Sequence, residues 1–261
     1  MNDRALQDAL ISERRFGGIA RLYGDAATQR LAQAHVCVVG IGGVGSWAAE
    51  ALARSGVGHL RLIDLDHVAE SNINRQAHAL EDTLGQAKVL AMRERIAAIN
   101  PQARVEVVEA FVEPDTALEH VRGTDMVIDA IDSVRAKVAL IVACRELGVP
   151  LVVAGGAGGK RDPGRIRVGD LARTEQDPLL AKVRQRLRAQ HGFPRDPKRR
   201  FGVPVVFSDE PVRQPEAACN TSGLQGLACA GYGSSMMMTA SVGLSAAACA
   251  VETLLQESPR S

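Results

Sequence analysis

Gly40, Gly42, Gly43 and Gly45 fall within HVCVVGIGGVGSWAAE, between an apolar run and a helix-like stretch. Glycines at this spacing let main-chain N–H groups approach an anion at a helix start, so the segment has the form of a nucleotide-binding turn. Asp64 ends the next apolar run, HLRLIDLD, at the distance where an acid takes the ribose hydroxyls in dinucleotide folds. On these residues alone a dinucleotide and ATP fit equally. The residues that follow separate them: Asn72, Arg75 and Gln76 lie in SNINRQ, and Lys88 opens the next helical stretch. A pyrophosphate with about two charges can rest on a helix N-terminus. A triphosphate with roughly four, held for attack at its α-phosphorus, needs cationic side chains and usually Mg²⁺. Asp132, closing DMVIDAID, offers an oxygen ligand for that metal. Arg and Lys are most often solvated surface charges, but polar groups at successive strand ends outweigh that reading. The pattern points to ATP chemistry rather than hydride transfer.

The elements that must position these groups alternate along the chain. Strands are expected at 35–40, 59–66, 104–112, 125–132 and 149–154, and helices at 44–55, 85–100 and 135–148. Strict alternation of this kind predicts an α/β, Rossmann-like, mostly parallel sheet with helices on both faces, whose strand C-termini share one rim. Beyond Lys160 the texture changes. RIRVGDL reads as a short strand leading away from the main sheet, 177–200 as a basic helix and loop, and FGVPVVFSDEPV as another strand. An irregular crossing segment over 213–223 and a small-residue C-terminal helix from Tyr232 complete the chain. The organisation expected is an N-terminal helical segment (1–34), an ATP-binding core (35–160), and a basic insert, crossover and packing helix (161–261).

A net charge of +1 gives no global pull on nucleic acid, so any basic surface is local. Cys37, Cys144, Cys219, Cys229 and Cys249 form no CxxC pair, which argues against structural zinc and a disulfide scaffold and fits a reducing compartment. His35, His59 and His78 show no metal spacing. The N-terminus is charged and lacks the apolar core of a signal peptide. Ala217–Ala250 carries no charge and is long enough to score as a membrane span, yet its Ser, Gly, Ala and Thr content suits close helix packing. A cytoplasmic protein without stable membrane insertion is expected.

The ordered set GIGGVGSWAAEALARSGVGHLRLIDLD, SNINRQ, GQAK and DAID resembles the adenylation domain of the ubiquitin-activating-enzyme-like superfamily, over roughly residues 14 to 160. The resemblance implies adenylation of a carboxylate by ATP. It also implies that Gly42 and Gly43 approach the phosphates and that Asp64 takes the ribose. Asn72, Arg75, Gln76 and Lys88 would clamp the phosphates, and Asp132 would serve Mg²⁺. Members that activate sulfur-carrier proteins usually hold zinc on two CxxC pairs, absent here. They also begin RYxRQ, with the second Arg reaching into the partner subunit. RFGGIARLYG puts Gly18 at that place, with Arg15 or Arg21 as substitutes.

Nearly end to end, through RFGGIARLYG, VIDAIDSVRAK, GGAGGKRDPGRIRVGDLARTEQDPLLAKVRQRLR and CAGYGSSMMMTASVG, the chain is similar to the tRNA threonylcarbamoyladenosine dehydratases. That branch implies activation of the threonyl carboxylate of N6-threonylcarbamoyladenosine in tRNA, then ring closure with loss of water. Independently, Lys182, Arg184, Arg186, Arg188, Lys198, Arg199 and Arg200, with Arg195, face a single acid, Asp196. Beside Lys160, Arg161, Arg165 and Arg167 they form a phosphate-binding footprint for tRNA. Cys229 is a candidate thioester site by the superfamily's precedent, although a tethered attacking atom needs no thioester, and core packing suits a Cys in an Ala/Gly-rich stretch. A homodimer is expected, and a sulfur-transfer protein is a further candidate partner. The alternatives are a sulfur-carrier activator, a non-catalytic scaffold and an NAD-dependent oxidoreductase.

Overall fold

The computed structural model describes residues 14–196, 198–214 and 232–256. Seven strands form one sheet in the order β3-β2-β1-β4-β5-β7-β6. They are β1 (His35–Val39), β2 (His59–Ile63), β3 (Arg104–Val108), β4 (Met126–Asp129), β5 (Leu151–Ala154), β6 (Ile166–Asp170) and β7 (Pro204–Ser208). β1 pairs in parallel with both β2 and β4, so the strand order reverses between them. That reversal opens the crevice in which open α/β sheets bind ligands.

Alternate residues of each inner strand face opposite sides, and each side has its own core. Val36, Val38, Leu60, Leu62, Met126 and Ile128 pack into one cluster, Cys37, Val39, Ile63 and Val127 into the other. Burial on both faces makes β1 and β4 nearly continuous apolar runs, whereas β2 alternates through the partly exposed His59 and Arg61. The first cluster is covered by α3 (Gly45–Arg54), α4 (Lys88–Ile99) and α8 (Met236–Leu255), with helical residues 14–23 (α1) and α2 (Asp25–Gln33) at its margin. The second is covered by α5 (Ala117–Val121), α6 (Val134–Leu147) and α7 (Pro178–Gln190).

RIRVGDL does not lead away from the sheet. As β6 it pairs antiparallel with β7 and forms the far edge. The chain passes from β5 to the edge as β6, returns through α7, and enters β7 between them, parallel to β5 and antiparallel to β6. The boundary expected at 160 therefore falls inside one sheet, since β7 pairs with β5 of the core.

α8 accounts for the later, described part of the uncharged C-terminal stretch. It lies against α3, and a side chain at Gly243 would put its Cβ 2.4 Å from the Val44 carbonyl oxygen. Ala246, Ala247 and Ala250 are buried along the same face. Small residues here allow two helices to approach closely. α8 is long and apolar enough to cross a membrane, and about half of it is buried within the fold. Its outward face carries Met237 and Leu244, both exposed.

Candidate active site

A cleft of about 470 Å³ opens at the C-terminal ends of β1, β2, β4 and β5. Gly40 leaves β1 with φ 85°, a left-handed conformation that favours glycine. Gly40, Gly42 and Gly43 line the cleft. Gly45 does not. A Cβ there would lie 1.7 Å from the Gly40 carbonyl oxygen, so this glycine lets the turn fold onto the start of α3 rather than facing a ligand.

Asp64, just past β2, also lines the cleft. Its carboxylate accepts the Ile41 N–H at 2.7 Å and the Asp66 N–H at 2.9 Å, tying the β2 end to the glycine turn. Burial pushes its carboxyl above the usual range, against the pull of nearby Lys88. Lys88 opens α4 with its side chain largely buried, and its Nζ meets Asp66 Oδ2 at 2.8 Å. Asn72 is buried and accepts the Ala69 N–H through Oδ1, closing a short 3₁₀ turn. Gln76 is buried, and its Oε1 has no hydrogen-bond partner among the described residues.

Arg75 is fixed through its main chain. Its carbonyl accepts the indole N–H of Trp47 on α3 at 2.9 Å, and the hydroxyl of Thr239 on α8 lies 3.4 Å from it, shared with the Ser235 and Met236 carbonyls. Its guanidinium donates to Ser71 O at 2.7 Å and Asn74 Oδ1 at 2.8 Å. Asp132 stands exposed on the opposite wall, in the bend between β4 and α6. The structure thus brings Asp64, Asn72, Arg75, Gln76, Lys88 and Asp132 to one cleft.

Asp66, Phe111, Glu113, Ser133 and Thr239 line the same cleft and were not expected from the sequence. Asp66 had a signal: it stands two residues after Asp64, on the same side of an extended chain. Thr239 had none, because nothing local links the last helix to the first turn.

A second cavity, of about 880 Å³, shares Asp132, Ser133, Gly156 and Leu179 with the first. Asp177 joins the two structurally: it caps α7 by accepting the Leu180 N–H and also accepts the Gly156 N–H at 2.9 Å. Arg135, Lys160, Lys182, Arg186 and Tyr232 line this second space. Lys160 is buried, donates to Ser208 O at 2.7 Å, and has its pKa lowered by burial.

The basic residues of α7 divide by face. Lys182 and Arg186 face the second cavity. Arg184 instead donates to the Leu171 and Thr174 carbonyls, and Arg188 donates to Pro194 O and lies over the Phe201 ring. Lys198, Arg199 and Arg200 are exposed on the loop beyond. Cys219 and Cys229 lie outside the described residues. Cys37 and Cys144 are buried in apolar surroundings that push both thiols up to about 12, which leaves them as packing groups.

At the other end of the strands, His35, His59 and Glu106 converge closely enough to hold a metal ion, a grouping that their sequence spacing concealed. The two rings stack at 3.6 Å with planes 4° apart, and Arg61 holds the Glu106 carboxylate at 3.0 Å. In-plane lone pairs of parallel rings do not converge on one ion, and an arginine already takes the carboxylate.

The ThiF family model matches residues 17–260. The tRNA threonylcarbamoyladenosine dehydratase of Escherichia coli (strain K12) is 50% identical over 255 residues, covering 94% of this chain and 95% of that relative. The Haemophilus influenzae protein of the same name is 46% identical over 248 residues, covering 94% and 95%. Crystal structures of the E. coli enzyme in complex with AMP and with ATP match with TM-scores of 0.86 and 0.85 at 50% identity, each covering 93% of this chain and 94% of that chain.

Proposed function

Because the chain belongs to the ThiF family and, within it, to the tRNA threonylcarbamoyladenosine dehydratases, we propose that it uses ATP to adenylate the carboxylate of N6-threonylcarbamoyladenosine in tRNA and then closes the ring. The observation that carries this reading is the shared wall. A cleft suited to a nucleotide opens across Asp132, Ser133, Gly156 and Leu179 into a larger space lined by Arg135, Lys182 and Arg186.

The chemistry follows from the groups in place. The triphosphate lies against the glycine turn, and Asp64 takes the ribose. Arg75 and Lys88 neutralise the phosphates, with Asn72 and Gln76 donating through their amides. The carboxylate attacks the α-phosphorus and pyrophosphate leaves. A nitrogen or oxygen of the same side chain then attacks the acyl carbon, and AMP departs with the former carboxylate oxygen. Tethering supplies the proximity that a bimolecular attack would lack. Nothing in this balance needs sulfur, a redox partner or a cysteine thioester. It therefore favours neither a sulfur-transfer partner nor a catalytic Cys229.

Asp132, exposed on the cleft wall, is a hard oxygen donor that would hold Mg²⁺ together with the phosphates, whereas Asp66 and Glu113 on the walls are already paired with Lys88 and Arg135. Bound there, the ion would offset charge on the phosphates. Lys182 and Arg186 in the groove, and Lys198, Arg199 and Arg200 on the adjoining loop, hold tRNA phosphates, whereas Arg184 and Arg188 brace α7. The outward face of α8 is the surface for a second copy in a homodimer. A tRNA substrate supports a cytoplasmic enzyme.

Exchange of labelled pyrophosphate into ATP tests the adenylation step. It requires tRNA carrying the threonylcarbamoyl group. Exchange stimulated instead by a carrier protein ending in Gly-Gly would move the assignment to a sulfur-carrier activator.

A further inference from the structure

Directly beneath the Asp132 loop lies an ion pair that the proposed chemistry does not use. Asp129, the last residue of β4, and Lys137, one turn into α6, are both fully buried, with Nζ to Oδ1 at 3.1 Å. Burying two charges is costly, and a well-packed apolar pair of similar volume is often as stable or more so. Overall stability is therefore a weak reason for this pair.

Its connections give a better one. Asp129 Oδ1 also accepts the Ile131 N–H at 3.1 Å, and Lys137 Nζ reaches back to the Asp129 carbonyl at 3.4 Å. The intervening Ala130 donates its N–H to Val39 O at 2.8 Å. A Cβ on Gly40 would sit 3.0 Å from the Ala130 carbonyl. One carboxylate thus ties down the main chain at Ile131, beside Ala130, whose own backbone seats on β1 and the glycine turn. One lysine locks that carboxylate to α6. Asp129 Oδ2 is buried with no hydrogen-bond partner among the described residues, so the ammonium and the Ile131 N–H are the groups that orient the carboxylate.

We infer that Asp129 and Lys137 are positioning residues: together they fix the backbone of 130–132 so that the Asp132 carboxylate is held at the metal position beside the nucleotide. This rests on the reading of the cleft as an ATP–Mg²⁺ site.

The test uses the full chain and measures ATP affinity by calorimetry as Mg²⁺ is titrated, alongside amide exchange at residues 130–133. Asp129→Val/Lys137→Met removes both charges without leaving either unpaired. It is expected to bind metal-free ATP within about twofold of the unaltered protein. It should need at least about fivefold more Mg²⁺ for half of the metal-dependent gain, about 1 kcal/mol by RT ln 5, and should exchange the Ile131 and Asp132 amides faster. Should that variant not fold, Asp129→Asn/Lys137→Met, which keeps an oxygen for the Ile131 N–H, is read instead, with at least about a twofold shift expected. An unchanged Mg²⁺ midpoint in the folded variant overturns the inference. Asp132→Asn separates the two failures. If it abolishes the Mg²⁺ effect while the paired variant does not, only the positioning role falls. If Asp132→Asn also leaves Mg²⁺ dependence untouched, the reading of the metal position falls with it.

Discussion

The Lys88 ammonium lies 2.8 Å from the Asp66 carboxylate, and the Lys88 main-chain N–H donates to the Asp66 carbonyl at 2.9 Å. Lys88 is largely buried while Asp66 is half exposed. The lysine is thus held at the cleft wall by a carboxylate that shares the space in which phosphates are proposed to bind.

Two opposite effects follow from this pair. Lys88→Ala removes the charge proposed to neutralise the phosphates and should lower pyrophosphate exchange roughly hundredfold. Asp66→Asn removes a negative charge from beside the same phosphates and should tighten ATP binding by about three- to tenfold. Trp47, the single tryptophan, donates to the Arg75 carbonyl, so its fluorescence can report nucleotide binding in both variants. Weaker binding in Asp66→Asn would show that the carboxylate contributes to holding the nucleotide.

The division of α7 into two faces makes a second prediction. Arg186→Ala should weaken tRNA binding across sequences and reduce the slope of log affinity against log salt by about one, with no loss of stability. Arg184→Ala should do the reverse. It strips donors from the Leu171 and Thr174 carbonyls and should cost about 1–3 kcal/mol of stability, with a nearly unchanged salt slope. Filter binding over a salt series, paired with thermal melts, reads both.

Close approach of α8 to α3 is the third. In Gly243→Ala the new Cβ meets the Val44 carbonyl oxygen, and the helices must separate at a cost of about 1–3 kcal/mol. For a chain of this size that lowers Tm by about 2–4 °C per kcal/mol. Thr239 rides on α8 and meets the Arg75 carbonyl, so ATP affinity should fall along with Tm. A drop in Tm with unchanged ATP affinity would show that α8 does not set the Arg75 main chain.

His78 gives the pH dependence. It is buried, neither ring nitrogen has a hydrogen-bond partner among the described residues, and burial, then Lys88 and Arg95, lower its pKa from 6.5 to about 4. With the folded value below the unfolded one, the neutral ring's contribution is present above pH 6.5 and lost as pH falls towards 4. A shift of that size corresponds to about 3 kcal/mol. Urea midpoints at pH 7.5 and pH 4.5 should differ less in His78→Gln than in the unaltered protein. Equal differences would assign the acid sensitivity to other groups.

The βα alternation and the glycine turn made the sheet and one wall of the cleft legible, because buried parallel strands and a glycine-rich turn at a helix start each impose a local pattern. Asn72, Arg75, Gln76 and Lys88 were legible because strand ends of one sheet share a rim. What local pattern could not show was long-range. β6 joins the sheet through an antiparallel partner more than thirty residues away. Gly45 looked like a ligand glycine, but its Cβ direction meets the Gly40 carbonyl. Arg184 and Arg186 differ by two positions on one helix, yet one turns to carbonyls and the other to the groove. The Asp129–Lys137 pair hid inside apolar runs.

The most direct measurement is mass analysis of nucleosides from tRNA carrying N6-threonylcarbamoyladenosine, after incubation with this protein, ATP and Mg²⁺. The predicted product is one water lighter than the starting nucleoside, appears with AMP and pyrophosphate, and is lost without ATP and in Lys88→Ala. An unchanged nucleoside mass, with active protein and ATP present, would contradict the central claim.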